Sequence, residues 1–209
     1  GMKIAIEAHR RAKPYCMGTL YWQFNDCWPV TSWSSLDYYG NWKAFHYQAK
    51  RSFENLLFSI EEGNDSYRIC IVNDDLKQYS GELVIDLIDF NGTKLWNKKI
   101  IFIASENSSK IHFEIPKKDF LAFNLKQAVL SVSFPPLEQI YTRHYFFKPK
   151  DLQITKPNIQ IKIIDEVTIE ISSDVLAKDV FLSSENDTFF EDNYFDLLPN
   201  EKRIIKFSK

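Results

Sequence analysis

Three cysteines, Cys16, Cys27 and Cys70, are an odd number with no CxxC pair and no histidine at ligand spacing. That excludes a disulfide framework and a zinc site, and the three are read as buried small hydrophobes. No apolar run approaches the roughly 20 residues of a membrane-spanning helix. The N-terminus lacks the basic region and apolar stretch of a signal peptide. Gly1 ahead of Met2 reads as the remnant of a removed tag. Charge of one sign is not in excess either: 26 Lys and Arg face 28 Asp and Glu, a net charge of -2. A phosphate backbone or an anionic membrane would select a basic face, so neither nucleic acid nor membrane is expected as a partner. Internal repeats and low-complexity tracts are also missing. The four histidines, His9, His46, His112 and His144, have no nucleophile beside them in sequence, which gives no support to Ser-His or Cys-His chemistry. His46, among aromatics, is read as packing or holding a structural hydrogen bond.

What is abundant is apolar and aromatic residues, 44% and 15% of 209, enough for a substantial core. The aromatics are unevenly placed. Trp22, Trp28, Trp33 and Trp42 fall within 21 consecutive positions, among Tyr21, Phe24, Tyr38, Tyr39, Phe45 and Tyr47. Residues 1–55 read as a helix from Met2 to Lys13 ended at Pro14, an apolar strand from Cys16 to Phe24, a polar aromatic loop, and a helix from Trp42 to Phe53. Glu7 and Glu54, on those helices, are read as solvated charges.

From Leu56 the hydrophobic period becomes two. Ile111–Ile115 and Val167–Ile171 alternate as strands with one wet face do. Asn91-Gly92, between runs 82–90 and 93–103, signals a two-residue hairpin. About seven strand candidates between residues 56 and 147 have the rhythm of a β-sandwich. After Pro149 and Pro157, runs at 158–164, 166–172, 178–184 and 202–207 suggest a smaller β unit. The expected divisions are 1–55, 56–150 and 151–209.

The segment richest in chemistry is Gly18-Thr19-Leu20-Tyr21-Trp22-Gln23-Phe24-Asn25-Asp26-Cys27-Trp28-Pro29. An indole offers a flat face to the C–H side of a sugar, and Asn, Gln and Asp can hold its hydroxyls. Trp22, Gln23, Asn25, Asp26 and Trp28 are therefore candidate substrate-binding residues. Trp28 and Trp33 either line the approach or brace the loop. For Gln23, Asn25 and Asp26 the structural alternative is loop capping.

The run from Gly18 to Tyr47, GTLYWQFNDCWPVTSWSSLDYYGNWKAFHY, closely resembles the last strand, loop and helix of the catalytic barrel in β-mannosidases of glycoside hydrolase family 2. A second run, Phe190 to Glu201, resembles the closing segment of the family's C-terminal immunoglobulin-like domain. The resemblance implies a mainly β chain: an immunoglobulin-like sandwich, a smaller immunoglobulin-like unit, and, ahead of them, an α/β remnant of a (β/α)8 barrel. It also implies a retaining exo-hydrolase of terminal β-linked mannose, working through two glutamates about 5 to 5.5 Å apart and without metal or organic cofactor. Both glutamates would precede Met2, so no catalytic residue is expected here and the isolated chain is expected to be silent. Trp22 would floor the subsite for the terminal sugar, with a cis Trp22-Gln23 peptide. Another reading is a non-catalytic module that binds glycan or protein, with self-association through residues 1–55. The compartment is left open.

Overall fold

The computed structural model describes residues 1–137, 139–185 and 188–208, and the chain divides into two compact units. Unit 1 comprises Gly1–Thr19, Arg51–Asp89 and Thr93–Gln153; unit 2 comprises Leu20–Lys50, Phe90–Gly92 and Ile154–Lys209.

Unit 1 is a β-sandwich. One sheet holds β1 (Leu56–Glu62), β2 (Ser66–Asn73) and β5 (Ser108–Pro116) in the order β1-β2-β5. The other holds β3 (Tyr79–Asp89), β4 (Lys94–Ala104), β6 (Ala128–Ser133) and β7 (Tyr141–Tyr145) in the order β4-β3-β6-β7. All pairings are antiparallel. Inward residues of both sheets, among them Phe58, Ile69, Ile71, Leu83, Ile85, Phe102, Ile115 and Leu130, form one buried cluster. Each such side chain contributes roughly 1.5–3 kcal/mol through removal from water.

The expected alternation at Ile111–Ile115 is interrupted. Ile69 faces Phe113 but Cys70 faces Ile111, so His112 is a bulged residue and Ile111 is left exposed. The hairpin is also wider than two residues. Asp89 N–H donates to the Thr93 carbonyl, enclosing Phe90, Asn91 and Gly92, and Gly92 takes φ +99°, a conformation that suits glycine.

Helix α1 (Met2–Arg11) packs on β1, β2 and β5 through Ile6, which is fully buried. Glu7 corrects the sequence expectation: it is buried, and its carboxylate accepts a hydrogen bond of 2.7 Å from the Ser59 hydroxyl. Arg11 donates to the same hydroxyl at 2.6 Å. Arg10 donates to the Ser52 carbonyl at 2.6 Å and to Asp74 at 2.9 Å, and Lys13 also pairs with Asp74. A helix this short is marginal alone, so these contacts and Ile6 hold it.

Unit 2 contains α2 (Ala44–Ser52 by helix bounds, its last two residues in unit 1) and the strands β8 (Ile159–Asp165), β9 (Thr168–Ser173), β10 (Ala177–Val180), β11 (Phe189–Phe190), β12 (Phe195–Leu197) and β13 (Lys202–Ser208). They form a four-stranded sheet, β11-β13-β9-β8, and a two-stranded sheet, β10-β12. Ile169, Ile171, Ala177, Phe195, Leu197 and Ile205 belong to its core. β11 and β12 escape a reading by periodicity because they are two and three residues long. The Asn193 side-chain amide does the work of a strand partner, accepting from Leu182 N–H at 2.8 Å and donating to its carbonyl at 2.9 Å.

The expected strand from Cys16 to Phe24 does not form. No strand lies in residues 1–55; the segment has no regular secondary structure and its apolar residues Met17, Leu20 and Trp22 are exposed. A strand needs a ladder to satisfy its backbone, and none of the described strands pairs with this one. Cys16 is half-buried and Cys27 exposed, contrary to expectation, while Cys70 is buried and its thiol pushed by burial up to about 11. Among the described residues no helix is long and apolar enough to cross a membrane, and no group of three His, Cys, Asp or Glu is placed to hold a metal.

Two substitutions test the sandwich. His144 on β7 lies against Tyr67 and Phe146, and its Nε2 makes no hydrogen bond among the described residues, with Glu62 3.7 Å away. Burial lowers its pKa from 6.5 to about 4. Its contribution is therefore complete above pH 6.5 and is lost as pH falls toward 4. Urea unfolding at pH 7 and pH 4.5 should show the wild type losing about 2 kcal/mol more than His144→Phe, and equal losses would contradict this. A Cβ on Gly81 would lie 2.6 Å from Cε2 of Phe134. Gly81→Ala should cost about 1–3 kcal/mol in the same measurement, with Phe134→Leu recovering part of it.

Candidate functional site

The aromatic segment lies in unit 2 and is organised by its own backbone rather than by a sheet. Ser35 N–H donates to the Gln23 carbonyl at 3.0 Å, Leu36 N–H to Phe24 at 2.9 Å, and Asp26 N–H to Leu36 at 3.2 Å. Isolated bridges join Asn25 to Leu36 and Leu36 to Trp42. Residues 23–26, 34–36 and 42–43 are thus tied together. The chain between them turns at Asp37, whose carboxylate accepts from the N–H groups of Tyr39 at 2.9 Å and Asn41 at 2.8 Å and from the Asn41 side chain at 2.9 Å. Gly40, at φ +85°, closes that turn.

Asp26 is the centre of the arrangement. Its carboxylate accepts from Ser32 Oγ at 2.5 Å, from Ser34 Oγ at 2.8 Å and from Lys43 Nζ at 2.9 Å, and the residue is 4% exposed. The Ser32 hydrogen bond, then that of Lys43, holds its pKa down to about 2 against the opposing effect of desolvation. Such a group stays ionised across the physiological range, so it organises charge and does not deliver protons. Lys43 also donates to Ser34 Oγ at 2.7 Å. Ser32, Ser34 and Lys43 were not singled out by sequence reasoning. The two serines flank Trp33 within Ser32-Trp33-Ser34-Ser35, a cue for capping, but nothing local ties Lys43 to a carboxylate 17 positions earlier.

Behind this loop sits a second polar group. His46 Nδ1 is 3.0 Å from Ser35 Oγ, and Tyr21 OH is 3.0 Å from the same atom. In space, then, a histidine does stand beside a serine, although the sequence separates them. Ser35 is fully buried and donates its own proton to the Phe24 carbonyl at 2.9 Å, so it has neither the access nor the free proton of a nucleophile. Burial lowers the pKa of His46, whose ring packs on Trp42 at 4.3 Å and on Phe24 at 5.7 Å. The pair is structural, as the reading of His46 anticipated. Trp42 continues to Tyr47 at 5.2 Å and Phe189 at 5.0 Å, and Tyr47 OH donates to the Phe190 carbonyl at 2.9 Å.

The five candidate residues separate into two groups. Gln23, Asp26 and Trp28 line an open concavity of about 450 Å³, together with Cys27, Val30, Thr31, Ser32 and Trp33. Trp22 and Asn25 are outside that lining. Trp22 stands 80% exposed, and the Trp22-Gln23 peptide is cis, as the resemblance implies. Gln23 Nε2 donates to the Asn25 carbonyl at 2.7 Å and Asn25 Nδ2 to the Asp26 carbonyl at 3.2 Å. Among the described residues no hydrogen bond reaches the side-chain oxygen of either, while the carboxylate of Asp26 is fully engaged inside the loop. Chemically, the surface offers exposed indole faces and amides beside a fixed negative charge.

The chain matches two family profiles in tandem, described as a mannosidase Ig/CBM-like domain over residues 65–151 and an Ig-fold domain of mannosidases over residues 154–209. It is 30% identical to the β-mannosidase of Mus musculus over 163 residues, 72% of this chain and 18% of that one. It is 25% identical to β-mannosidase A of Aspergillus flavus over 216 residues, 92% of this chain and 23% of that one. Its structure superposes on the β-D-mannosidase of Dictyoglomus thermophilum with a TM-score of 0.88 and 30% identity, covering all of this chain and 26% of that one. The exo-chitosanase of Amycolatopsis orientalis, at 14% identity and a TM-score of 0.74, shares the fold. The chain thus spans about a quarter of the length of these relatives or less. Tandem domains of mannosidase type, and a β-mannosidase likeness that runs through the aromatic segment as well, assign the chain to the β-mannosidases of glycoside hydrolase family 2, as a C-terminal portion.

Proposed function

We propose that this chain serves a retaining exo-β-mannosidase-like hydrolase by presenting one wall of the sugar site, while the two catalytic glutamates lie outside these 209 residues. On this reading residues 1–55 are the end of a (β/α)8 barrel, 56–150 the sandwich and 151–209 the terminal immunoglobulin-like unit. Trp22 stacks on the terminal β-linked mannose, Gln23, Asn25 and Trp28 surround it, and Asp26 acts from behind by fixing the loop.

The observation that carries the reading is the state of the carboxylates. Retaining hydrolysis needs one carboxyl group that is protonated near neutral pH and a second that attacks. Asp26 is held near pKa 2 by three donors. At Asp37 burial pushes the pKa up, but the hydrogen bonds from Asn41 and Tyr39 outweigh it and the net shift is downward. Neither carboxyl is tuned as a general acid. What remains is an exposed indole with amides next to it, which suits holding a sugar without cleaving it.

A second reading, a non-catalytic module for glycan or protein, is favoured by the full exposure of Leu20 and the three-quarters exposure of Trp33 and Tyr39. Such a surface also suits self-association through residues 1–55. One experiment tests the role given to Trp22. Methyl β-mannoside should quench tryptophan fluorescence with a Kd of about 1 mM or weaker, and Trp22→Ala should weaken binding roughly tenfold. An aryl β-mannoside should not be turned over by the purified chain. Turnover above buffer, or binding untouched by Trp22→Ala, contradicts the proposed role.

A further inference from the structure

The edge strand β8 carries isoleucine at four of its seven positions, and all seven residues are exposed. Its one ladder partner among the described strands is β9, so the opposite edge presents unpaired N–H and C=O groups. Ile161 lies beside Ile171 and Ile163 beside Ile169, both buried. Ile159, Ile161 and Ile163 therefore continue the core face of unit 2 one strand further. The opposing layer is only the pair β10-β12, and it leaves these three 40, 59 and 76% exposed. Two other edges differ. β4 carries Lys94, Lys98 and Lys99, and β11 is two residues long. β8 has a single lysine, Lys162, and no proline.

We infer that β8 is a self-recognition edge, pairing antiparallel with β8 of a second copy so that Ile161 lies opposite Ile161. A two-fold axis normal to the sheet allows only registers in which facing residues share a side, which leaves few to compare. With Ile161 at the axis, Ile159 faces Ile163 twice and Gln160 faces Lys162 twice. The apolar row is continuous and no like charges meet. Moving the axis to Lys162 sets two ammonium groups face to face, and like charges directly opposite are destabilising. Moving it to Ile163 draws Ile164 into the pairing opposite Lys162, where the ladder with β9 shifts register between Ile163 and Asp165 and the regular run ends. Moving it to Gln160 puts Pro157, which has no N–H, opposite Ile163. The sequence of the strand selects one register.

This surface is separate from the aromatic segment and does not depend on the sugar-site reading. Disulfide trapping tests it in the full chain with Cys16→Ser and Cys27→Ser, which leaves the buried Cys70. Cα atoms of directly facing residues lie about 4.5–5.5 Å apart, within disulfide range. Ile161→Cys should give covalent dimers roughly tenfold faster than Ile164→Cys, which sits on the same exposed strand away from the axis. Gln160→Lys, which places ammonium groups opposite one another, should weaken the wild-type dimer in sedimentation roughly tenfold. Equal trapping rates, no covalent dimer, or Gln160→Lys dimerising like the wild type would overturn the inference. Association through the aromatic segment or with another strand would show as equal rates.

Discussion

Everything the aromatic segment can present to a ligand depends on one buried carboxylate. Residues 20–43 have no sheet to lie in, so the loop is shaped by Asp26 accepting from Ser32, Ser34 and Lys43. These three donors come from both later limbs of the loop and converge on one point. Removing water from around a charge is costly, and only a full set of partners makes the arrangement favourable. Once Asp26 is fixed, the backbone bonds from Ser35 and Leu36 to Gln23 and Phe24 follow, and Trp22 and Gln23 are carried on a defined backbone. The aromatic stack beneath, from Phe24 through His46 and Trp42 to Phe189, supplies the apolar base. The same strategy holds α1 in unit 1, where Glu7, Arg10 and Arg11 meet Ser59, Ser52 and Asp74.

The sandwich was legible because one physical rule, a wet face alternating with a dry one, writes itself into every second residue. β3, β4, β8, β9 and β13 stand where that rule puts them. Where the rule is locally broken, by the bulge at His112 or by the three-residue turn at Asn91, the sequence still reads as regular and the structure differs. β11 and β12 are too short for any period to register, and Glu7 looked solvated because its partner Ser59 lies 52 positions away.

Composition and family resemblance single out the candidate segment, but not the division of labour within it. Trp22, Gln23, Asn25, Asp26 and Trp28 form one run in sequence, yet they do different things in space. Trp22 is turned outward, Trp28 lines a concavity, and Asp26 is consumed in holding the loop. The Cys16–Phe24 stretch read as a strand because its residues are mostly apolar. Apolarity records that a segment is meant to be covered; it does not supply the neighbour that covers it.

Asp26 is the anchor of the preformed loop that carries the aromatic segment. Amide hydrogen exchange on Asp26→Asn tests it most directly. The amides of Ser35, Leu36 and Lys43, which donate to Gln23, Phe24 and Ser35, should exchange at least roughly tenfold faster than in the wild type, while those of Ile69 and Ile71 in β2 stay unchanged. Unaltered protection at Ser35, Leu36 and Lys43 would contradict it.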